Sequence, residues 1–212
     1  MSTLAVILHS GGMDSTVCLL MARNQGRQIL SLGIDYNQRA SIELEYARKL
    51  CLKFGIPRRV LRVEWDKPER HIPKDRLPEE MSRTLSPAFL PGRNAVFLAL
   101  GCAEATSIGA SEVWIGINSI DYSGYPDCRK EFVDAFQTMI NMAISTSLQI
   151  VAPLVNMSKP EIVCEARRLG LKKEDTWSCY TPVTNDGRIQ PCGRCDGCVL
   201  HEWAWSKGIV TK

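Results

Sequence analysis

The chain has little of what would carry it out of a cell or into a membrane. Residues 1–8 hold no Lys or Arg, and the apolar run at residues 4–8 stops at His9, so they make a poor signal peptide. No apolar run approaches the ~18 residues that a bilayer span needs. Charge of one sign is scarce too: 26 Lys and Arg against 23 Asp and Glu leave +3 over 212 residues. That is well short of a strongly basic nucleic-acid footprint. Repeats and low-complexity stretches are absent. A cytoplasmic protein is expected, with no membrane partner and no direct nucleic-acid partner. The small cluster Arg58, Arg59 and Arg62 reads as a solvated strand edge.

Cysteine is plentiful by contrast. There are nine, an odd number. Cys18, Cys51, Cys102, Cys128 and Cys164 are dispersed, mostly among apolar neighbours, and read as small core residues. Cys179, Cys192, Cys195 and Cys198 crowd together near the C-terminus, the last three at x2 spacing. This pattern fits a metal site in a reducing compartment better than a disulfide framework. Four thiolates fill a tetrahedron around zinc and leave no position open for water, so one structural Zn²⁺ is expected. An iron–sulfur cluster is the rival, set second because nothing in the fold calls for redox chemistry. Gly193 and Gly197 are expected to relax the turns between these cysteines.

Hydrophobic periodicity divides the rest. Residues 4–9 form a continuous apolar run, as in a strand buried on both faces of a parallel sheet. Strands are expected at 28–36, 59–65, 112–118 and 149–155, alternating with helices at 14–24, 41–54, 94–108, 130–146 and 159–169. Ser158 and Glu161 form a capping box for the last of these. Phe132, Phe136, Met139 and Ala143 predict the buried stripe of the fourth helix. Residues 66–92, rich in proline and charge, read as a long loop or lid. Such alternation implies a doubly wound, mainly parallel five-stranded α/β sheet over residues 1–170, followed by a cysteine segment, 171–212. Ligands of such sheets sit beyond the carboxyl ends of the strands.

The first strand runs into Ser10-Gly11-Gly12-Met13-Asp14-Ser15. Two glycines permit a tight turn and close backbone approach, and the following amides open a helix, where orphan N–H groups and the dipole favour an anion. No Lys follows the glycines, and G-x-G-x-x-G is absent, so this is neither a Walker loop nor a dinucleotide fingerprint. The alternative is a bare glycine turn with Asp14 or Ser15 as N-cap. In this context S-G-G-x-D-S resembles the PP-loop ATP pyrophosphatases, of adenine nucleotide alpha hydrolase-like fold, which split ATP to AMP and pyrophosphate and adenylate a carbonyl oxygen. That resemblance implies nucleotide contacts from Leu8, His9, Ser10, Gly11, Gly12, Met13, Asp14, Ser15, Thr16, Val17 and Cys18. It also implies Mg²⁺, with Asp14 helping to hold it.

Further stretches narrow the resemblance. Asp35-Tyr36-Asn37-Gln38-Arg39, Pro91-Gly92-Arg93-Asn94 and Asp121-Tyr122-Ser123-Gly124-Tyr125-Pro126-Asp127-Cys128-Arg129, with the first loop and the cysteine array, resemble the QueC family of the queuosine pathway along essentially the whole chain. The resemblance implies that 7-carboxy-7-deazaguanine, ammonia and ATP give 7-cyano-7-deazaguanine through an adenylate and an amide. It places Asp35 and Tyr36 at the nucleotide and Ser15, Asp14 and Arg93 at the chemistry. It places Gln38, Arg39, Arg93, Asn94, Asp121, Tyr122, Tyr125, Asp127 and Arg129 at the substrate. Asp121 or Asp127 would accept hydrogen bonds from the deazaguanine edge. Tyr122 or Tyr125 would stack on it, and Arg93 or Arg129 would pair with its carboxylate or with phosphates. Family members are often homodimers, although no stripe in this sequence demands one. Ala40, Thr181-Pro182 and His201 depart from the residues common in the family. Rival readings are another PP-loop enzyme, acting on tRNA or forming an amide, and a non-enzymatic nucleotide-binding zinc module. Trp203 and Trp205 are expected to pack onto the body of the domain.

Overall fold

The computed structural model describes residues 2–37, 42–65, 71–81, 86–87, 89–118 and 125–208. Five parallel strands form the main sheet: β1 (Leu4–Leu8), β2 (Gln28–Asp35), β3 (Arg58–Arg62), β4 (Glu112–Ile115) and β5 (Gln149–Val151), in the order β3-β2-β1-β4-β5. Strand β1 pairs on both sides, Leu4–Leu8 against β2 from Gln28 to Leu32 and Ala5–Leu8 against β4 from Glu112 to Ile115. Having no edge and no solvent face, it must be apolar throughout. Ala5 and Ile7 enter one core and Val6 and Leu8 the other, as strand alternation requires. The order reverses between β1 and β4, so the ligand crevice of this topology lies beyond their carboxyl ends.

Helices α1 (Met13–Asn24), α2 (Ile42–Phe54) and α6 (Lys159–Arg168) pack on the first core, α4 (Arg93–Ile108) and α5 (Lys130–Ala143) on the second. A single turn, α3 (Pro78–Met81), lies in the long connection after β3. The Ser158–Glu161 capping box opens α6 as expected. Strand β4 is shorter than its apolar run because β1 ends at Leu8 and offers no partner beyond Ile115. The predicted stripe of α5 is corrected: Val133, Phe136 and Ile140 are buried, whereas Met139 and Ala143 are exposed. Arg58 is also corrected. Its Nη1 turns inward and donates to the His9 carbonyl (3.0 Å) and Ser31 Oγ (2.8 Å), while Arg62 stays exposed.

Beyond Gly170 the chain keeps regular structure that periodicity did not disclose. A hairpin, β6 (Val183–Asn185) with β7 (Arg188–Gln190), turns through Asp186 and Gly187, both at positive φ. That is the primed turn matching hairpin twist. Helix α7 (Asp196–Lys207) follows and sends Ala204 and Trp205 into the first core. Gly197 lies inside α7, not in a turn, and is small because a Cβ there would meet the Ser178 carbonyl oxygen at 2.0 Å. Among the described residues no helix is long and apolar enough to cross a membrane.

Candidate active site

The turn after β1 is built so that its polar groups converge. Gly11 has φ +104°, and a Cβ there would stand 1.9 Å from the Glu43 carbonyl oxygen of α2; only glycine fits. Gly12 is the N-cap of α1 and has no side chain to cap with. Neither Asp14 nor Ser15 takes that role, so the first amides of α1 keep their outward valence. Ser10 Oγ accepts the Gly12 N–H (3.1 Å) and lies 3.2 Å from Ser15 Oγ, which donates to the Gly12 carbonyl (3.1 Å). Asp14 Oδ2 is paired with Lys159 Nζ at the start of α6, while Asp14 Oδ1 is buried without a partner.

Beneath this turn His9 is fully enclosed. Its Nδ1 lies 3.0 Å from Ser31 Oγ and its Nε2 3.1 Å from Thr16 Oγ1. Burial, followed by the Arg58 guanidinium, lowers its pKa to about 3, so the ring is neutral and serves as a strut between β1, β2 and α1.

The turn forms one wall of a cavity of about 330 Å³ beyond the ends of β1, β2 and β4. Leu8, His9, Ser10, Gly12, Met13, Asp14 and Ser15 line it; Gly11, Thr16, Val17 and Cys18 stand behind that wall. Tyr36 lines it and Asp35 does not, the latter accepting the Asn37 N–H at 3.1 Å. From other segments come Arg93, Asn94, Tyr125 and Cys128. Arg93 is hydrogen-bonded to Tyr36 and lies over the Phe97 ring. Tyr36 tilts against Phe97 at 5.3 Å, and Tyr125 stacks on Phe89 at 4.6 Å.

Asp127 is placed differently from expectation. Its Oδ2 accepts the Asn94 N–H (3.1 Å) at the start of α4, and its carbonyl accepts Asn94 Nδ2 (3.0 Å), so it fastens a helix terminus outside the cavity lining. Arg129 is exposed and also outside the lining. Gln38, Arg39, Asp121 and Tyr122 lie outside the described residues. Burial, then Asp127, raises the Cys128 pKa to about 11, which keeps it a thiol.

Sequence reasoning missed several residues of the lining: Glu43, Asn118, Lys159, Tyr180, and the pair Ser178 and His201, whose Oγ and Nδ1 are 3.1 Å apart. Lys159 was legible only as the first residue of a helix; nothing in the linear order brings it to Asp14.

Cys179, Cys192, Cys195 and Cys198 do converge, with all four sulfurs within 4.8 Å of one another. Sulfurs ~2.3 Å from one tetrahedral ion lie about 3.8 Å apart, and the Cys192–Cys198 and Cys179–Cys195 separations are each 4.0 Å. The cluster could hold a metal ion. Backbone N–H groups of Tyr180, Cys192, Arg194 and Cys195 point at its sulfurs from 3.2 to 3.5 Å, as a second shell for thiolates does. The segment grips both the phosphate turn and the long connection. The Trp177 N–H donates to the Gly11 carbonyl (3.0 Å), Lys74 bridges to Cys195, and Asp196 holds Arg76 and Ser86. Thus the described part of the expected lid is fastened to the cysteine segment.

A family model described as queuosine biosynthesis protein QueC matches residues 4–208. The chain belongs to the QueC family. Among QueC relatives, 7-cyano-7-deazaguanine synthase 2 of Rhodopseudomonas palustris is 54% identical over 202 residues, covering 95% of this chain and 96% of that protein. The 7-cyano-7-deazaguanine synthase of Myxococcus xanthus is 39% identical, covering 97% and 94%. Among solved structures, the tRNA thiolase NcsA of Methanococcus maripaludis superposes with TM-score 0.51 at 12% identity, over 97% of this chain and 65% of that one. At that identity the likeness is one of fold. QueC membership makes this an enzyme of queuosine biosynthesis, and its fold is the ATP-pyrophosphatase-like sheet expected from the phosphate turn.

Proposed function

We propose that the chain converts 7-carboxy-7-deazaguanine and ammonia to 7-cyano-7-deazaguanine at the expense of ATP; its relatives' names give the product. One observation supports this most: residues far apart in sequence, Ser10, Gly12, Asp14 and Ser15 with Tyr36, Arg93 and Tyr125, meet on one cavity beyond the switch point of the sheet. In the first step a carboxylate oxygen attacks the α-phosphorus of ATP and pyrophosphate leaves. Ammonia then adds to the acyl carbon, AMP departs, and a proton is lost to give the amide. The amide oxygen then attacks the α-phosphorus of a second ATP, a second pyrophosphate leaves, and loss of AMP with the two remaining amide protons gives the nitrile. Ammonia is the nucleophile, so no side-chain nucleophile is needed, in keeping with a protonated Cys128.

The α1 amides, Ser10 and Ser15 are suited to hold phosphoryl oxygens. Arg93 is the half-buried cation suited to the substrate carboxylate or the phosphates, Tyr125 offers a stacking face, and Asp121 is proposed as an acceptor for the deazaguanine edge. The buried, unpartnered Asp14 Oδ1 fits a Mg²⁺ ligand. When bound, the ion supplies charge neutralisation for departing pyrophosphate. The cysteine set fits one Zn²⁺ in a structural role, and sulfurs within 4.8 Å favour a single ion over a multi-iron cluster. Residues 1–170 then serve as the nucleotide-binding domain and 171–212 as a zinc-stapled segment that completes it. The enzyme would work in the cytoplasm, with nitrogen supplied by free ammonium or by a separate donor protein.

The test is incubation of purified protein with Mg-ATP, ammonium and the acid, followed by mass spectrometry. Nitrile formed with AMP and pyrophosphate supports the proposal. Accumulation of the amide would make this an amide-forming relative, and absence of acid-dependent AMP would overturn the substrate.

A further inference from the structure

Asn118 has a buried side chain whose Nδ2 finds no hydrogen-bond partner among the described residues. The residue is 6% exposed and lines the cavity just past the end of β4. Its direction follows from the strand. Val113, Ile115 and Ile117 enter the second core, whereas Trp114 enters the first. Gly116 continues the face of Trp114, because a Cβ there would stand 2.7 Å from the Ser15 backbone nitrogen and 2.8 Å from the Asp14 carbonyl carbon. Asn118 follows two residues on, beyond the end of the sheet, and lines the same cavity as Gly12, Met13, Asp14 and Ser15 at the start of α1. An amide donor enclosed without an acceptor costs about 1–3 kcal/mol. Such a group persists at a functional site when a ligand supplies the missing partner.

We infer that Asn118 Nδ2 donates a hydrogen bond to a phosphoryl oxygen of the nucleotide held at the N-terminus of α1, a contact nothing in the phosphate-turn motif itself contains. The assignment rests on the ATP-binding reading above. It gives the segment after β4 a part in phosphate recognition: Gly116 lets that segment approach the α1 amides, and Asn118 closes over the oxygens they hold.

Titration calorimetry on the metal-loaded, full-length protein tests this, with α,β-methylene-ATP plus Mg²⁺, AMP and adenosine as probes. Asn118→Leu keeps the shape and removes the unsatisfied donor. It should weaken the ATP analogue and AMP by about 10–100-fold, leave adenosine unchanged, and raise the thermal midpoint of the free protein by about 2 °C or more. A merely structural asparagine would lower that midpoint. Asn118→Asp, isosteric but anionic, should weaken both phosphorylated probes more than Leu does. Equal loss for adenosine, or undiminished affinity for the ATP analogue in both variants, overturns the inference while leaving ATP binding intact; loss for the ATP analogue without loss for AMP supports it and puts the contact on the β- or γ-phosphoryl. Failure of the wild-type protein to bind the ATP analogue overturns both this and the reading on which it rests.

Discussion

Trp177 donates its backbone N–H to the carbonyl of Gly11 across 3.0 Å. Two residues after Trp177 comes Cys179, so the cysteine cluster and the phosphate turn are joined by one short run of chain. The indole reinforces the link by donating from Nε1 to the Cys179 carbonyl at 2.9 Å. Cysteine segment and nucleotide site are therefore one mechanical unit, although 168 positions separate Gly11 from Cys179.

Removal of the metal should accordingly abolish function and lower stability together. Titration with a strong chelator is expected to reduce ATP-dependent turnover by at least ~10-fold in parallel with bound metal, with a fall in thermal midpoint, since a structural metal contributes folding free energy directly. Metal content, scanning calorimetry and AMP release measured on the same samples check this. Full turnover in metal-free protein would break the coupling.

Two glycines with similar dihedral signs should behave differently. At Gly11 a Cβ meets the Glu43 carbonyl oxygen at 1.9 Å, whereas at Gly26 (φ +73°) nothing lies within 4 Å. Gly26→Ala carries only the left-handed backbone penalty, about 1 kcal/mol. Gly11→Ala adds a clash with the backbone of α2 and is expected to cost about 3 kcal/mol or more and to lose nucleotide binding. Urea unfolding of both variants, with ATP titration of whichever folds, provides the comparison.

Asp14 and Lys159 form a pair across the mouth of the phosphate turn, each about one-fifth exposed. Asp14→Asn keeps the shape but removes the anionic ligand suited to Mg²⁺. It should lower turnover at least ~100-fold with a change in stability below about 1 kcal/mol, because partly exposed pairs contribute little to folding. Raising Mg²⁺ should recover part of the loss. Lys159→Met should instead raise the KM for ATP. Steady-state kinetics across Mg²⁺ and ATP concentrations separate the two effects.

Legibility in the sequence followed the range of the physics. The run LAVIL fixed a central strand because two-sided burial leaves no polar position, and the S-G-G-M-D-S turn announced its anion site through local backbone chemistry. The cysteine spacing disclosed the cluster for the same local reason. Helix α7 was hidden because Gly197, which reads as a turn, is demanded by the Ser178 carbonyl nineteen positions earlier. Its hairpin neighbour was marked by Asp186-Gly187, a signal passed over amid the cysteines. Asn118 and Lys159 were illegible for a deeper reason: their significance lies in lining the cavity beside α1, and only the closed sheet brings them there. Asp127 shows the converse, a carboxylate inside a distinctive motif that fastens α4.

The enclosed His9 makes stability depend on pH in a predictable direction. Its folded pKa, about 3, is below the ordinary 6.5, so between those values the unfolded chain binds a proton that the native state refuses. The stabilisation is complete above pH 6.5 and declines as the pH falls toward 3, by up to about 1.4 kcal/mol per unit. His201, whose pKa burial and then Lys173 also lower, adds in the same direction. Glu45 and Glu161 have lowered carboxyl pKa values and lose their contribution only below 4.5, so the interval from pH 6.5 to 5 isolates the histidines. Over it the wild-type unfolding free energy should fall by about 2 kcal/mol through His9. His9→Asn, which retains a hydrogen-bonding group toward Ser31 and cannot titrate, should be less stable at pH 7 yet lose much less on acidification. Cysteine protonation acts on both proteins and cancels in the difference between their curves. Parallel curves would mean that His9 accepts its proton in the folded state, and that the strut beneath the phosphate turn is open to water.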